Sequence, residues 1–281
     1  KEKIMLTQAT VRDFSVVLIK PSRYDIDGYP IVWYKALIPS NSLAVLNGIV
    51  EDCANRDVLG PDVKLHIELV DETSRRVDTR SLLKKIKQRG GGALVCMVGV
   101  QSNQFPRAVD LARPFLSAGV PVVIGGFHVS GCISMLPELP TELSEALAMG
   151  ISLFAGEAEE GRFDEVLRDA DKKALKPIYN HLKDLPGMTG APSPLLPASI
   201  LSSNLSKLSS FDLGRGCPFQ CSFCTIINVQ GRKSRFRSPD DLERIVRENW
   251  AQGIHMFFIT DDNFARNALW EQFLDRLIAL R

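Results

Sequence analysis

Between residues 14 and 170 the chain repeats one pattern, a short and mostly apolar run followed by a stretch with helical spacing. Residues 14–19, 63–70, 93–100, 120–124 and 151–154 read as strands. Residues 42–53, 81–88, 105–116 and 161–170 read as helices, with a Pro-containing helical stretch over 135–148. A sheet with one wet face would alternate apolar and polar residues. Strands that are apolar on both faces belong instead to a parallel sheet covered by helices on each side. The expected fold class is therefore α/β, a doubly wound, parallel, Rossmann-like domain.

Ligands of such sheets sit over the carboxyl ends of the strands. Those ends read Gly99-Val-Gln101-Ser102-Asn103, Gly125-Gly126-Phe-His128-Val-Ser130-Gly131 and Gly156-Glu157-Ala-Glu159. Paired glycines let the backbone approach a bulky ligand, and small polar residues supply donors. Gln101, Ser102, Gly125, Gly126, His128, Ser130, Gly156 and Glu157 are the candidate contacts. For His128 a loop histidine satisfied by backbone is the competing assignment. No G-x-G-x-x-G follows the first strand, which disfavours a nicotinamide dinucleotide. The segment 20–40, rich in Pro, Tyr, Trp and Asp, is long for an irregular connection inside a domain, and such connections tend to be functional.

A length of 281 residues suggests about two domains. Prolines 186, 192, 194 and 197 interrupt regular structure, so the expected division is residues 1–175, a packed Pro/Ser-rich linker over 176–209, and a second domain over 210–281. The 34 basic and 33 acidic residues nearly cancel, which argues against a dedicated nucleic-acid surface. No apolar run approaches the ~20 residues of a membrane span, and no signal peptide opens the chain. Six cysteines, three within one motif, do not read as a disulfide framework. Cys53, Cys96 and Cys132 are expected to be buried thiols, and the expected compartment is the reducing cytoplasm.

The second domain opens on a strand near residue 210 and runs into Leu213-Gly-Arg-Gly-Cys217-Pro-Phe-Gln-Cys221-Ser-Phe-Cys224, a C-x3-C-x2-C motif. Thiolates are soft ligands for iron–sulfur clusters or zinc. Structural zinc almost always takes four protein ligands. No further cysteine follows Cys224, and the next histidine is His255. Three ligands and one open corner suit a four-iron four-sulfur cluster. Ser238-Pro-Asp-Asp241 then starts a helix, with Ser238 as N-cap, Pro239 in the first turn and Asp241 as the capping-box acid. Leu242, Ile245, Val246 and Trp250 form its expected apolar stripe. A strand over 255–260 leads into Asp261-Asp262-Asn263, and a last helix is expected to turn Leu269, Trp270, Phe273, Leu274, Leu277 and Ile278 inward. Arg232, Lys233, Arg235 and Arg237 make a basic loop that could meet a carboxylate, a phosphate or an anionic substrate, or simply stay solvated.

Cys217, Cys221 and Cys224, with Phe223 before the last cysteine, resemble the signature of radical SAM enzymes. In that family the open iron holds the amino and carboxylate groups of S-adenosylmethionine, and one-electron reduction yields a 5′-deoxyadenosyl radical. Gly125-Gly126-x-His128 and Gly156-Glu157 ahead of the motif resemble the cobalamin-binding branch. The resemblance implies a Rossmann-like domain followed by the first part of a radical SAM (β/α) partial barrel. It implies three cofactors: the cluster on Cys217, Cys221 and Cys224, S-adenosylmethionine near Phe223, Asp261, Asp262 and Asn263, and cobalamin on the sheet edge. D-x-H-x-x-G is absent, since Gly126 stands at the Asp position relative to His128. Cobalamin is therefore expected without a protein histidine on cobalt. The implied partners are a small-molecule substrate and an external one-electron reductant of flavodoxin or ferredoxin type. The implied reaction is methylation of an unactivated centre; a radical cyclisation or rearrangement, or a non-catalytic corrinoid protein with a metal knob, stays open. Only two strand–helix units follow the linker and the chain opens on Lys1, so a longer enzyme is expected.

Overall fold

The computed structural model describes residues 11–202, 204–205, 207–261 and 264–280. β1 (Arg12–Lys20) is central, because its residues from Phe14 to Ile19 are buried on both faces. α1 (Asn41–Asn55) follows, capped by the Ser40 hydroxyl, which accepts from the Leu43 amide. Then come β2 (Val63–Asp71), α2 (Thr79–Gln88), β3 (Ala93–Met97) and α3 (Phe105–Ser117). β4 (Val122–Gly125), α4 (Phe127–Met135), α5 (Thr141–Ala148), β5 (Ser152–Ala155) and α6 (Arg162–Asp171) continue the alternation, and β6 (Ile178–Asn180) closes it. The six strands are all parallel, in the order β2-β1-β3-β4-β5-β6.

Alternate residues of one strand feed different layers. Val17 and Ile19 of β1 join α2, α3, α4 and α5 in one core, while Phe14, Val16 and Leu18 join α1 and α6 in the other. The doubly wound arrangement expected from the apolar runs is present. Two elements were not anticipated. α4 begins directly after Gly126 and carries His128, so that histidine is helical rather than in a loop. β6 extends the sheet beyond residue 175 into the stretch expected as linker.

The rest of that stretch is packed. The Leu195 amide donates to Ala44 O, and Asn47 Nδ2 donates to Leu195 O at 2.8 Å. Gly48, inside α1, makes this possible: a Cβ there would stand 2.0 Å from Ser193 O. After α7 (Ala198–Leu201), β7 (Leu208–Phe211) opens the second unit. β8 (Gly214–Arg215), α8 (Ile226–Val229) and β9 (Arg235–Phe236) follow, then α9 (Pro239–Ala251), β10 (Met256–Ile259) and α10 (Trp270–Ala279). β7 and β10 pair parallel, with α9 between them in sequence, which is a strand–helix–strand unit. The Ser238–Asp241 capping box starts α9 as expected.

The apolar stripes of the last helices are narrower than their sequences suggest. Leu242, Ile245 and Val246 are buried with Phe211, Leu213 and Phe273, but Trp250 lies half out, edge-on to His255. In α10, Phe273 is buried and Leu269 and Leu277 pack beside it, whereas Trp270, Leu274 and Ile278 are exposed.

Lys20, at the carboxyl end of β1, is enclosed; its ammonium donates to Gly99 O (2.6 Å) and Gln104 Oε1 (2.8 Å). Burial lowers its pKa to about 8, against the opposing pull of Asp71. A depressed ammonium pKa disfavours the native state wherever both states are protonated, and that penalty fades as pH rises from about 8 through the ordinary 10.5. Urea unfolding is therefore expected to show the wild type gaining on Lys20→Met across this window, by up to ~3 kcal/mol. A difference that stays flat with pH would show that Lys20 keeps its ordinary pKa.

Candidate functional site

The carboxyl ends of β3, β4 and β5 open into a cavity of about 350 Å³. One wall comes from the sheet, α1, α4 and α6: Val45, Leu46, Val98, Val123, Phe154 and Phe163 form an apolar floor, with Gly99, Gly125, Gly126 and Gly156 at the strand ends and Ser130 on α4. The facing wall comes from the second unit, through Asp212, Gly214, Arg215, Ile226, Val229, Gln230 and Thr260. A shared cavity of this kind lies where doubly wound sheets bind ligands, at strand ends beside a reversal of strand order, here between β1 and β3.

Two glycines make the sheet edge possible. Gly126 has φ +141°, and a Cβ there would stand 2.2 Å from the Val100 amide nitrogen. Gly156 has φ +108°, and a Cβ would meet the His181 carbonyl group at 3.0–3.1 Å. Ser130 of α4 is buried, and its hydroxyl accepts from the Gly156 amide at 3.1 Å, tying α4 to the end of β5.

Of the candidates read from sequence, Gly125, Gly126, Ser130, Gly156 and Glu157 line the cavity; Gln101, Ser102 and His128 do not. Gln101 precedes a 3-10 turn at Ser102–Gln104. His128 faces away from the cavity, its Nδ1 3.1 Å from Ser102 Oγ and its Nε2 3.6 Å from Glu142, with the ring against Phe105. Burial lowers the His128 pKa, with Glu142 opposing. Among the described residues no histidine lines the cavity.

The three cysteines lie on an excursion between β8 and β9. Gly216, at φ +78°, admits the Lys233 carbonyl where a Cβ would collide at 2.4 Å, and the Cys217 amide donates to Gly231 O at 3.0 Å. Cys217 and Cys224 are half-buried, Cys221 is exposed, and all three are free thiols. Phe223 is 86% exposed. Among the described residues no three His, Cys, Asp or Glu side chains converge as ligands of a single metal ion. The donor set, three soft ligands on a glycine-hinged loop, fits a cluster.

Asp261, at the end of β10, accepts from the Leu213 amide through Oδ1 at 2.7 Å, and so braces the strand leading to the cysteines. Asp262 and Asn263 lie outside the described residues.

The basic loop is divided: Arg232 and Lys233 are exposed, whereas Arg235 is half-buried and Arg237 buried. Arg237 is 1% exposed, and its Nε donates to Asp212 O. Arg235 forms a two-pronged ion pair with Glu157 and donates to Pro186 O. Arg215 Nη1 lies 2.8 Å from Glu157 and 2.7 Å from Glu159, and its Nε reaches Asp212. Three arginines thus face three carboxylates, all largely out of water. Burial opposes ionisation of Asp212, but Arg215 and Arg237 hold its pKa down to about 2. Burial likewise opposes the charge on Arg215, yet Asp212, Glu159 and Glu157 raise its pKa well above the ordinary value. Sequence reading took Glu157 for a ligand contact and missed this network, whose members are far apart along the chain.

Residues 212–281 match the Radical SAM superfamily. Bacteriochlorophyllide d C-8(2)-methyltransferase of Chlorobaculum tepidum is 33% identical over 226 residues, covering 73% of this chain and 44% of that protein. Hopanoid C-2 methylase of Rhodopseudomonas palustris is 28% identical over 162 residues, covering 56% and 28% respectively. The solved structure of the radical S-adenosylmethionine methyltransferase TsrM from Kitasatospora setae, with cobalamin and an iron–sulfur cluster bound, superposes with a TM-score of 0.60 at 15% identity. That match covers 96% of this chain and 53% of TsrM. The chain spans less than half the length of the curated relatives it matches. At this identity the likeness to TsrM establishes the fold: a Rossmann-like sheet leading into the first strand–helix units of a radical SAM barrel. The cysteine motif and the match over the second unit agree: residues 212–281 are a radical SAM domain, here preceded by a Rossmann-like sheet.

Proposed function

We propose that this chain carries the cluster and corrinoid sites of a radical SAM methyltransferase acting on a small molecule. The observation that carries the proposal is the single cavity walled on one side by the strand ends of the sheet and on the other by the elements flanking the cysteines. The methyltransferases among its relatives support the reaction class. When bound, the cluster would supply the electron that cleaves S-adenosylmethionine, and the corrinoid would supply methyl transfer.

Cys217, Cys221 and Cys224 are the thiolates that would hold the cluster. A cavity of about 350 Å³ has the size of a small-ligand pocket, so of a corrinoid it takes the nucleotide tail. The apolar floor at Val45, Leu46, Val123 and Phe154 excludes water from that tail. No histidine among the described residues of the cavity wall would offer cobalt an imidazole. Asp261 and the residues after it are the groups for the ammonium end of S-adenosylmethionine. The reductant is an external one-electron carrier. Free thiols throughout suit a reducing cytoplasm, and no helix among the described residues is long and apolar enough to cross a membrane.

Full-length protein, candidate substrate and methyl-deuterated S-adenosylmethionine test the reaction. One molecule cannot both donate its methyl and become the radical source, so S-adenosylhomocysteine and 5′-deoxyadenosine should both form and the product should carry the label. Abundant 5′-deoxyadenosine beside an unlabelled product would rule out methyl transfer and leave a radical cyclisation or rearrangement.

A further inference from the structure

We infer that the buried ion network around Glu157 clamps the neck of the cysteine loop against the sheet edge, which makes Glu157, Arg215 and Arg235 positioning residues that set the cluster relative to the corrinoid cavity. The inference deepens the two-cofactor proposal above and rests on it for its functional half. Residues 216–234, with all three cluster cysteines, form one excursion whose two ends are β8 and β9. That pairing is only two residues long, Gly214 against Phe236 and Arg215 against Arg235. So short a ladder does not hold itself together. It also sets two arginines directly opposite one another, where like charges repel.

Glu157 resolves both difficulties. It stands at the carboxyl end of β5, and its two carboxylate oxygens take Arg215 from one strand and Arg235 from the other. Glu159 adds a second contact to Arg215. The neck of the loop is therefore fastened to the same strand end that lines the cavity. With both oxygens engaged, Glu157 positions the loop rather than contacting the ligand. Removing one partner of a buried ion pair leaves the other charge uncompensated, which is costly.

Two backbone amides report the neck without any cofactor: Cys217 N, donating to Gly231 O, and Arg237 N, donating to Leu213 O. In Glu157→Gln full-length protein their hydrogen exchange is expected to accelerate on the order of a hundredfold. Adding Arg235→Gln should cost little more, because the pair acts as a unit. In the reconstituted holoenzyme, iron content and hydroxocobalamin stoichiometry should match wild type, while pulsed EPR shows a broadened distribution of cluster-to-cobalt(II) distances. If Glu157→Gln does not accumulate, Arg235→Lys carries the same test, keeping the charge but not the two-pronged contact. Wild-type exchange with a wild-type distance distribution would overturn the inference. So would loss of corrinoid binding at full iron content, which would make Glu157 a ligand contact. A wild type that takes up no corrinoid would overturn the two-cofactor proposal alone, since the exchange measurement still reads the clamp.

Discussion

Replacing Cys217, Cys221 and Cys224 together by Ala is expected to abolish iron–sulfur loading and reductive cleavage of S-adenosylmethionine while leaving the fold intact. Both halves follow from the loop. The cysteines are its only soft ligands, so without them the cluster has no anchor. Cys221 is exposed, and the half-buried Cys217 and Cys224 belong to none of the apolar cores, so the three substitutions should change stability by less than about 1 kcal/mol. Iron and labile-sulfide analysis after anaerobic reconstitution, beside urea unfolding of the same samples, measures both. A cluster that survives the triple substitution would place the ligands elsewhere. Stoichiometric zinc without sulfide in the wild type would return the motif to a structural knob.

The second large effect is expected at Gly126. A Cβ there would collide with backbone atoms, 2.2 Å from Val100 N and 2.6 Å from Val100 O, and backbone cannot rotate aside as a side chain can. The residue is also at φ +141°, which L side chains rarely adopt. Gly126→Ala should therefore destabilise the protein by about 4 kcal/mol, at the upper end of single substitutions. Gly119→Ala, at φ +74° with open space around the added methyl, supplies the control and should cost only the backbone term, about 1 kcal/mol. Because Gly126 joins β4 to α4 at the cavity edge, any Gly126→Ala protein that folds should lose corrinoid affinity in hydroxocobalamin titration. Equal stability of the two variants would mean that the strand ends adjust freely. In that case the sheet edge is softer than its packing implies.

Much of the fold was legible because burial leaves a periodic trace. A strand covered on both faces tends to be apolar at successive positions, and residues 16–19 and 93–97 are. A helix between such strands shows a stripe, as in α1, α3 and α6. α4 was missed because its stripe is short: Val129, Cys132 and Ile133 share one core-facing side, but the exposed Phe127 and Met135 fall off it and blur the pattern. β6 was missed because its three residues are too few to show a period. The outward faces of Trp250, Trp270 and Ile278 were misread since an apolar residue on a helix does not reveal whether a neighbour covers it.

The sequence by itself determined the parallel sheet, the helix start at Ser238 and the three thiols on one loop; the first helix, expected from Ser42, is capped two residues earlier by Ser40. Each depends on residues close together along the chain, where spacing and local hydrogen bonding suffice. The tertiary structure alone decided which strand ends share a cavity and that His128 turns away from it. It also decided that Arg237 of the basic loop is buried and Arg235 half-buried. The partner of Arg235 is Glu157, 78 residues away. A charge gives no periodic sign of the carboxylate it will meet, and only the chain's path in space brings the two together.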